Sequence, residues 1–148
     1  MNVEKVIQTE IKIPLESRTI IHFMLVNNKI NETISTFLKP FDVSLQQFNV
    51  LRILRGQKGK PANLSTLNER MVTKMSNTTR LVDKLLLKGY VDRIICSSNR
   101  RKVEINITKE GKKILLKIDA AMNVAEHKIL KNLSKKELEQ LNILFDKF

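Results

Sequence analysis

Two clusters of polar and basic residues have the types and spacing expected for contacts with a polyanion. Arg100, Arg101 and Lys102 follow the turn-forming residues 97–99, and the sequence SNTTR occupies residues 76–80. A guanidinium group is a planar fork of N–H donors that matches a phosphate or the edge of guanine, and an asparagine amide matches adenine. The chemistry predicted for both clusters is therefore hydrogen bonding to nucleic acid.

The arginine pair is predicted to lie at the tip of a β-hairpin. Downstream of it the sequence alternates, so that Val103, Ile105 and Ile107 share one face of a strand and polar residues share the other. Upstream, YVDRIIC (90–96) is rich in β-forming residues and is predicted to form the partner strand.

The second cluster is predicted to begin a short helix that ends near Lys88. Thr73 or Ser76 is the expected N-cap, and Gly89 stands where a C-cap glycine belongs. The spacing places Leu81, Val82 and Leu85 inward and Asn77, Arg80 and Lys84 outward. A shorter helix is predicted over residues 64–71, so the two helices are separated by a tight break.

Longer helices are predicted on either side of this segment. Apolar spacing indicates a helix over 17–38, which Pro40 ends, and Ser44 with Gln47 forms a capping box that opens another. On the other side, Thr108 is the expected cap of a helix over 109–131. Ser134 and Glu137 form a second capping box, which opens the last helix.

This order of elements predicts a mainly α fold with a small β-hairpin wing, that is, a winged helix-turn-helix. Residues 41–109 are expected to form the winged-helix lobe, and residues 1–40 and 110–148 a helical dimerisation region within a single chain. The terminal helices carry more apolar residues than one small domain can cover, and Phe145 and Phe148 would be exposed in a monomer. Packing of these helices within one chain is the alternative.

Composition is consistent with a folded, basic protein. The chain has 148 residues, 42% of them hydrophobic, with 4 Gly, 3 Pro and a single cysteine, Cys96. No run of apolar residues is long enough for a membrane span, and no secretory signal is recognisable, so a cytoplasmic protein without disulfides is expected. The net charge is +12, of which residues 70–113 contribute +8 from twelve basic and four acidic side chains. Nucleic acid is the expected partner.

Catalytic and cofactor chemistry have no supporting pattern. The sequence contains no phosphate-binding loop or nucleophile motif, and its acidic residues are dispersed rather than paired. His22 and His127 are far apart and lack the spacing of a zinc site. We therefore expect neither an enzyme nor a metal or cofactor.

Double-stranded DNA fits both clusters. A short helix presents its N-terminal residues to base edges in the major groove, and a hairpin arginine fits the adjacent minor groove. Arg101 or Arg100 is the expected inserted residue, and the other would bind phosphate. The predicted DNA-binding residues are Lys74, Ser76, Asn77, Thr78, Thr79, Arg80, Lys84, Arg100, Arg101 and Lys102. An ordinary solvated helix face and turn are the structural alternative.

The sequences SNTTRLVDKLLLKGYVDR (76–93) and NRRKVEINITKEGKKIL (99–115) resemble the recognition helix and wing of the MarR family of bacterial transcription regulators. The resemblance implies base contacts around the start of this helix and a wing arginine at Arg101. It also places Asp83 at the family's LVD position, where the carboxylate is expected to hold an arginine or to remain an exposed acid. The chain departs from the family at Asn99, where an aspartate is usual, and the resemblance leaves open whether this change alters the wing geometry.

The resemblance further implies a homodimer and a repressor of a pseudopalindromic operator that is relieved by a small aromatic or acidic effector. The candidates to line an effector pocket are Arg18, His22, Phe23, Phe48 and Arg52, each of which is equally suited to an ordinary core or surface role. Cys96 lies in the wing strand, where packing is expected rather than redox sensing.

Two other functions fit the same fold. A winged-helix protein-assembly module would bind no DNA, and an architectural protein would bind DNA without sequence preference. A gel shift with promoter DNA separates the first, and nonspecific competitor DNA separates the second.

Overall fold

The structure is a computed structural model that describes residues 1–73, 77–95 and 103–148. The described elements are α1 (Val3–Val6), α2 (Leu15–Leu38), a 3₁₀ turn (Lys39–Phe41), α3 (Leu45–Gly56), α4 (Leu64–Arg70), α5 (Thr78–Leu87), β1 (Val91–Ile95), β2 (Val103–Ile107), α6 (Lys109–Leu130) and α7 (Lys135–Phe145). This order confirms the predicted mainly α fold with a β-hairpin.

The chain forms two compact units. One, here called the terminal unit, consists of Met1–Thr36 and Ala125–Phe148, and the other, the central unit, is Phe37–Val124. These are structural divisions, and the predicted assignment of 1–40 and 110–148 to dimerisation and 41–109 to DNA binding stays a prediction.

The core of the central unit is built from the apolar faces of its helices and of both strands. Its fully or almost fully buried side chains include Phe48, Leu51 and Leu54 of α3, Leu67 of α4, Val82 and Leu85 of α5, Ile105 of β2, and Leu115 and Ile118 of α6. Burial of such side chains is the main favourable contribution to folding. The periodicity that predicted the helices therefore also identified the faces that pack.

The two strands pair antiparallel, with Val91 opposite Ile107 and Ile95 opposite Val103. Ile105 is fully buried, whereas Val103 and Ile107 are half-buried. The backbone of Ile105 also exchanges two hydrogen bonds with Ala62, at N–O distances of 3.0 and 2.8 Å. This extra bridge fixes the hairpin to the segment that precedes α4.

Helix ends follow local sequence signals. Ser44 Oγ accepts a hydrogen bond from Gln47 N at 3.2 Å, and the Gln47 side chain accepts one from Ser44 N at 2.9 Å. The reciprocal bonds between Ser134 and Glu137 form the second predicted capping box. Helix α2 ends at Leu38, two residues before Pro40, which lies in the 3₁₀ turn. These predicted boundaries are confirmed.

The terminal unit contains helix–helix contacts at both chain ends. Val3 of α1 is fully buried, and the ring of Phe23 on α2 lies 6.0 Å from that of Phe145 and 5.8 Å from that of Phe148, between ring centroids. Large apolar side chains nevertheless remain exposed in this unit: Val6, Ile7, Ile11, Leu15, Ile20, Met24, Val26, Leu130, Leu133, Ile143, Leu144, Phe145 and Phe148. Among the described residues, no helix combines the length and apolarity needed to cross a membrane.

Candidate nucleic-acid interface

Helix α5 begins at Thr78, with Asn77 as its N-cap. This corrects the predicted N-caps, Thr73 and Ser76. The first helical hydrogen bond runs from Leu81 N to Asn77 O at 3.3 Å, so the helical ladder starts at Asn77. The Asn77 side chain makes no capping hydrogen bond. Its amide is therefore not used to close the helix end.

The two faces of α5 differ sharply. Val82 and Leu85 are fully buried, whereas Asn77, Thr79 and Arg80 are exposed. Lys84, one turn after Arg80, is exposed as well. The N-terminal end of a helix carries a partial positive charge, which favours a nearby anion. The helix end that attracts phosphate is thus surrounded by Asn77, Thr79 and Arg80, whose side chains can bond base edges or phosphates.

Thr78 is buried, although it was predicted to contact DNA. Only 3% of its surface is exposed, and its hydroxyl donates a hydrogen bond to the side-chain carbonyl of Asn68 on α4. A side chain buried in this way presents no methyl group to a base. We therefore assign Thr78 to the packing of α5 against α4. Residue spacing did not predict this contact, because Asn68 and Thr78 lie on different helices.

The hairpin is tied to α5 by an ion pair. Arg93 Nη1 of β1 lies 3.6 Å from Asp83 Oδ1 of α5, so Asp83 does hold an arginine, as the family resemblance implied. Both groups are partly exposed, and the pair accordingly contributes little to stability. The pair shows that one strand of the wing lies beside the helix.

Several predicted site residues lie outside the described residues. These are Lys74 and Ser76 before α5, and Arg100, Arg101 and Lys102 between the strands. Cys96 and Asn99 belong to the same undescribed segment. Their proposed roles stay predictions, whereas the strands on either side of the hairpin tip are described.

The C-terminal end of α5 is also held by charge. The ammonium group of Lys88 donates a hydrogen bond to the carboxylate of Asp42, and this bond lowers the pKa of Asp42. The positive charge of Lys84 acts in the same direction. Asp42 has a left-handed backbone conformation, with φ of 50°. This contact joins residues 46 positions apart, so no local pattern in the sequence predicts it.

The candidate effector residues fall into two sets. In the central unit, Phe48 is buried and the exposed Arg52 lies over it, with the guanidinium carbon 5.5 Å from the ring centroid. In the terminal unit, Arg18 binds both carboxylate oxygens of Glu4, at 2.7 and 3.2 Å.

The hydrogen bond from Arg18 is the main cause that lowers the pKa of Glu4, and His22, half-buried one turn from Arg18, acts in the same direction. Phe23 packs against the C-terminal phenylalanines. The effector pocket itself stays a prediction.

A helix-turn-helix followed by an antiparallel hairpin, with a polar and basic helix N-terminus exposed, defines a winged-helix protein of the nucleic-acid-binding type. Comparison with known proteins gives the family. Residues 43–103 match the model of the MarR family, and this segment contains α3, α4, α5 and both strands of the hairpin. This segment of the chain is thus a MarR-family winged helix-turn-helix, and the chain is similar to DNA-binding transcription regulators of that family.

Similar proteins of known identity extend the match beyond this segment. The transcriptional regulator PapX of Escherichia coli is 26% identical over 82% of this chain and 74% of its own length. The multiple antibiotic resistance protein MarR of Salmonella typhimurium is 28% identical over 83% of this chain and 85% of its own length.

Solved structures show the same fold. A MarR-like regulator from Bacillus cereus has a TM-score of 0.80 at 22% identity, over 90% of this chain and 96% of its own. A mutant E. coli MarR in complex with operator DNA has a TM-score of 0.77 at 25% identity, over 90% of this chain and 93% of its own. The winged helix-turn-helix is therefore confirmed.

Proposed function

We propose that the chain is a homodimeric repressor that binds a pseudopalindromic operator and is released by a small ligand. The observation that carries the proposal is the exposure of Asn77, Thr79 and Arg80 at the N-terminus of a helix whose opposite face is buried. A structural neighbour, a mutant E. coli MarR, is complexed with operator DNA, which supports DNA as the partner of this chain. Such a regulator acts where the chromosome is, in the cytoplasm.

Base recognition falls to the start of α5. Arg80 pairs with guanine through two hydrogen bonds, Asn77 with adenine, and the methyl group of Thr79 contacts thymine. Lys84, on the same exposed face, binds phosphate. The proposed contact surface also includes Lys74, Ser76, Arg100, Arg101 and Lys102, with Arg101 in the minor groove. Because several of these basic residues would bind phosphate, the affinity for DNA should fall steeply as the salt concentration rises.

Dimerisation is supported by the apolar surface of the terminal unit. Leu15 and Ile11 expose 74% and 77% of their surfaces, and Phe148 exposes 93%. Large exposed apolar residues gathered in one unit favour a protein–protein interface over a solvated surface. In a two-fold dimer, two copies of α5 would meet successive turns of the duplex, roughly 34 Å apart.

The proposed effector is a small aromatic or acidic molecule. Arg18 already binds a carboxylate in the fork geometry that an acidic ligand would use. Glu4 is therefore a competitor for such a ligand at this arginine. Phe48 and Arg52 offer an aromatic ring and a cation, which suit an aromatic acid. Release from DNA would follow if the ligand binds the DNA-incompetent state more tightly.

Selection of bound duplexes from a random pool tests the DNA-binding proposal. We expect the wild-type chain to enrich one inverted-repeat sequence. Arg80→Ala should lose the preference for one base pair in each half-site, which corresponds to about 1–3 kcal/mol of discrimination per half-site. Lys136→Ala is the matched control, because it removes an exposed positive charge from α7 and should keep the full sequence preference. If Arg80→Ala enriched the wild-type sequence with undiminished preference, the assignment of α5 would be wrong.

A further inference from the structure

The end of α5 and the start of α6 meet at a junction made of four residues. Thr108, the N-cap of α6, donates its hydroxyl proton to Gly89 O at 2.7 Å and accepts a hydrogen bond from Gly111 N at 2.9 Å. Its backbone N–H donates to Tyr90 O at 3.1 Å. One threonine therefore bonds to two of the three residues that connect α5 to β1, and also to the first turn of α6.

Gly89 marks the point where α5 stops. It follows the C-cap Lys88, has a left-handed φ of 69°, and its N–H donates to Leu86 O at 2.9 Å. Tyr90 N donates to Leu85 O at 3.0 Å, which completes the turn. The carbonyl that Thr108 binds therefore belongs to the residue that terminates the recognition helix.

The junction is closed from the other side by Gly111. A Cβ atom at Gly111 would lie 2.0 Å from Tyr90 O and 2.9 Å from Ile107 Cγ1. No side chain fits in that space without movement of the backbone. Helix α6 can approach the α5–β1 connection this closely only because residue 111 has no side chain, so the separation of the two elements is tightly fixed.

Small changes at this junction are amplified at the DNA-facing end of α5. The helix has ten residues, and at 1.5 Å per residue it is about 15 Å long. A tilt of roughly 10° about its C-terminal end would move the backbone of Asn77 by about 2.6 Å and that of Arg80 by about 1.8 Å, which is enough to break a hydrogen bond to a base. The buried side chains of Val82 and Leu85 and the bond from Thr78 to Asn68 hold the body and the start of α5, and the junction at Thr108 holds its C-terminal end.

We propose that Thr108 is a positioning residue for DNA recognition. Its hydroxyl fixes the direction of α5 on α6, and thereby the place of Asn77 and Arg80 in the major groove. This inference rests on the proposed function, in which α5 reads bases and two copies of the chain set the half-site spacing. Thr108 touches no base, so it affects how strictly the spacing is read rather than which base is preferred.

Three substitutions separate the two roles of the hydroxyl. Thr108→Ser keeps the donor to Gly89 and the acceptor for Gly111. Thr108→Asp keeps a strong N-cap acceptor for α6 but cannot donate to Gly89 O at neutral pH. Thr108→Val keeps the shape and loses both bonds. If the valine variant fails to fold, the aspartate variant still tests the proposal, because its cap is retained.

The experiment measures the affinity of each variant for the selected operator and for operators whose half-site spacing is one base pair longer or shorter. We expect Thr108→Ser to match the wild type. Thr108→Asp and Thr108→Val should each lose at least about tenfold in affinity for the selected operator, because each loses the hydrogen bond to Gly89 O. They should also discriminate less between the three spacings, with the preferred bases unchanged. The charge added by aspartate weakens all three operators alike, so it leaves the discrimination unaffected.

Two results would overturn the proposal. The first is a Thr108→Asp variant that discriminates between the three half-site spacings as the wild type does. The second is a Thr108→Val variant that loses thermal stability but whose folded fraction still discriminates between the spacings as the wild type does. Either result would leave Thr108 with only a structural role. A wild-type chain that enriched no sequence would instead remove the proposed function, and with it this inference.

Discussion

At the scale of single residues, Gly111 shows how one missing side chain determines a contact between elements. The residue lies in the first turn of α6, where alanine would ordinarily be preferred to glycine by about 1 kcal/mol. The carbonyl of Tyr90 occupies the space that a Cβ atom would need. Because this neighbour is backbone, it cannot rotate away as a flexible side chain would.

Gly111→Ala is therefore expected to destabilise the fold. Overpacking of this kind typically costs about 1–3 kcal/mol, and here the gain in helix propensity offsets only part of it. Gly56→Ala is the matched control, since Gly56 ends α3 and has no atom within 4 Å of the added Cβ. Denaturant unfolding of both variants measures the difference. Equal free energies of unfolding for the two variants would contradict the close approach at Gly111.

At the scale of elements, local signals and distant contacts differed in how well the sequence predicted them. The capping boxes at Ser44 and Ser134 were found because both partners lie within three residues of each other. Asn77 was missed as the N-cap of α5, since Thr73 and Ser76 are equally good capping types and Asn77 forms no side-chain cap bond. Type and spacing alone do not choose among neighbouring candidates.

The burial of Thr78 illustrates the other limit. Thr78 was predicted to contact DNA because it lies at the start of α5, but it stands four residues before the buried Val82, and Asn68 on α4 accepts its hydroxyl proton. The extra bridge between Ala62 and Ile105 was likewise not predicted, because an isolated pair of residues leaves no periodic pattern. The elements were therefore predictable, and the contacts that orient them were not.

Helix α1 gives a prediction about pH at this scale. The hydrogen bond from Arg18 lowers the pKa of Glu4 below its usual value of 4.5. The folded state thus binds the Glu4 proton less readily than the unfolded state does, and the pair stabilises the fold fully above the unfolded pKa. That contribution is lost as the pH falls below about 4.5 toward the folded pKa.

Glu4→Gln should accordingly be less stable than the wild type at pH 7, and the difference should shrink as the pH falls from 4.5 to 3. Glu10→Gln is the control, because no ion pair of Glu10 is seen among the described residues. Unfolding by denaturant at several pH values measures the difference. A difference that stayed constant from pH 7 to pH 3 would show that the carboxylate of Glu4 does not stabilise α1 on α2.

At the scale of the whole molecule, charge and apolar surface are distributed differently along the chain. Residues 70–113 contribute +8 of the net charge of +12, and all of them belong to the central unit. Most of the large exposed apolar side chains belong to the terminal unit. Such a separation suits a protein that uses one unit for a polyanion and the other for a protein partner.

The last prediction concerns that partner, a second copy of the chain. Leu144 and Phe148 are 52% and 93% exposed in the terminal unit, and burial of both would favour association by about 25 cal/mol per Å² of apolar surface. A double substitution, Leu144→Glu with Phe148→Glu, should convert a dimer into a monomer at micromolar concentration. Leu87→Glu is the control, because Leu87 is 89% exposed in the central unit.

Sedimentation velocity at several concentrations measures the oligomeric state of the three proteins. The wild type and Leu87→Glu should sediment as dimers, and the double variant as a monomer with unchanged helix content by circular dichroism. The same double variant should bind a single half-site but lose the added affinity that two linked half-sites give. The opposite result would be a wild type that sediments as a monomer and still binds the full inverted repeat more tightly than a single half-site. The apolar surface of the terminal unit would then have no role in DNA binding.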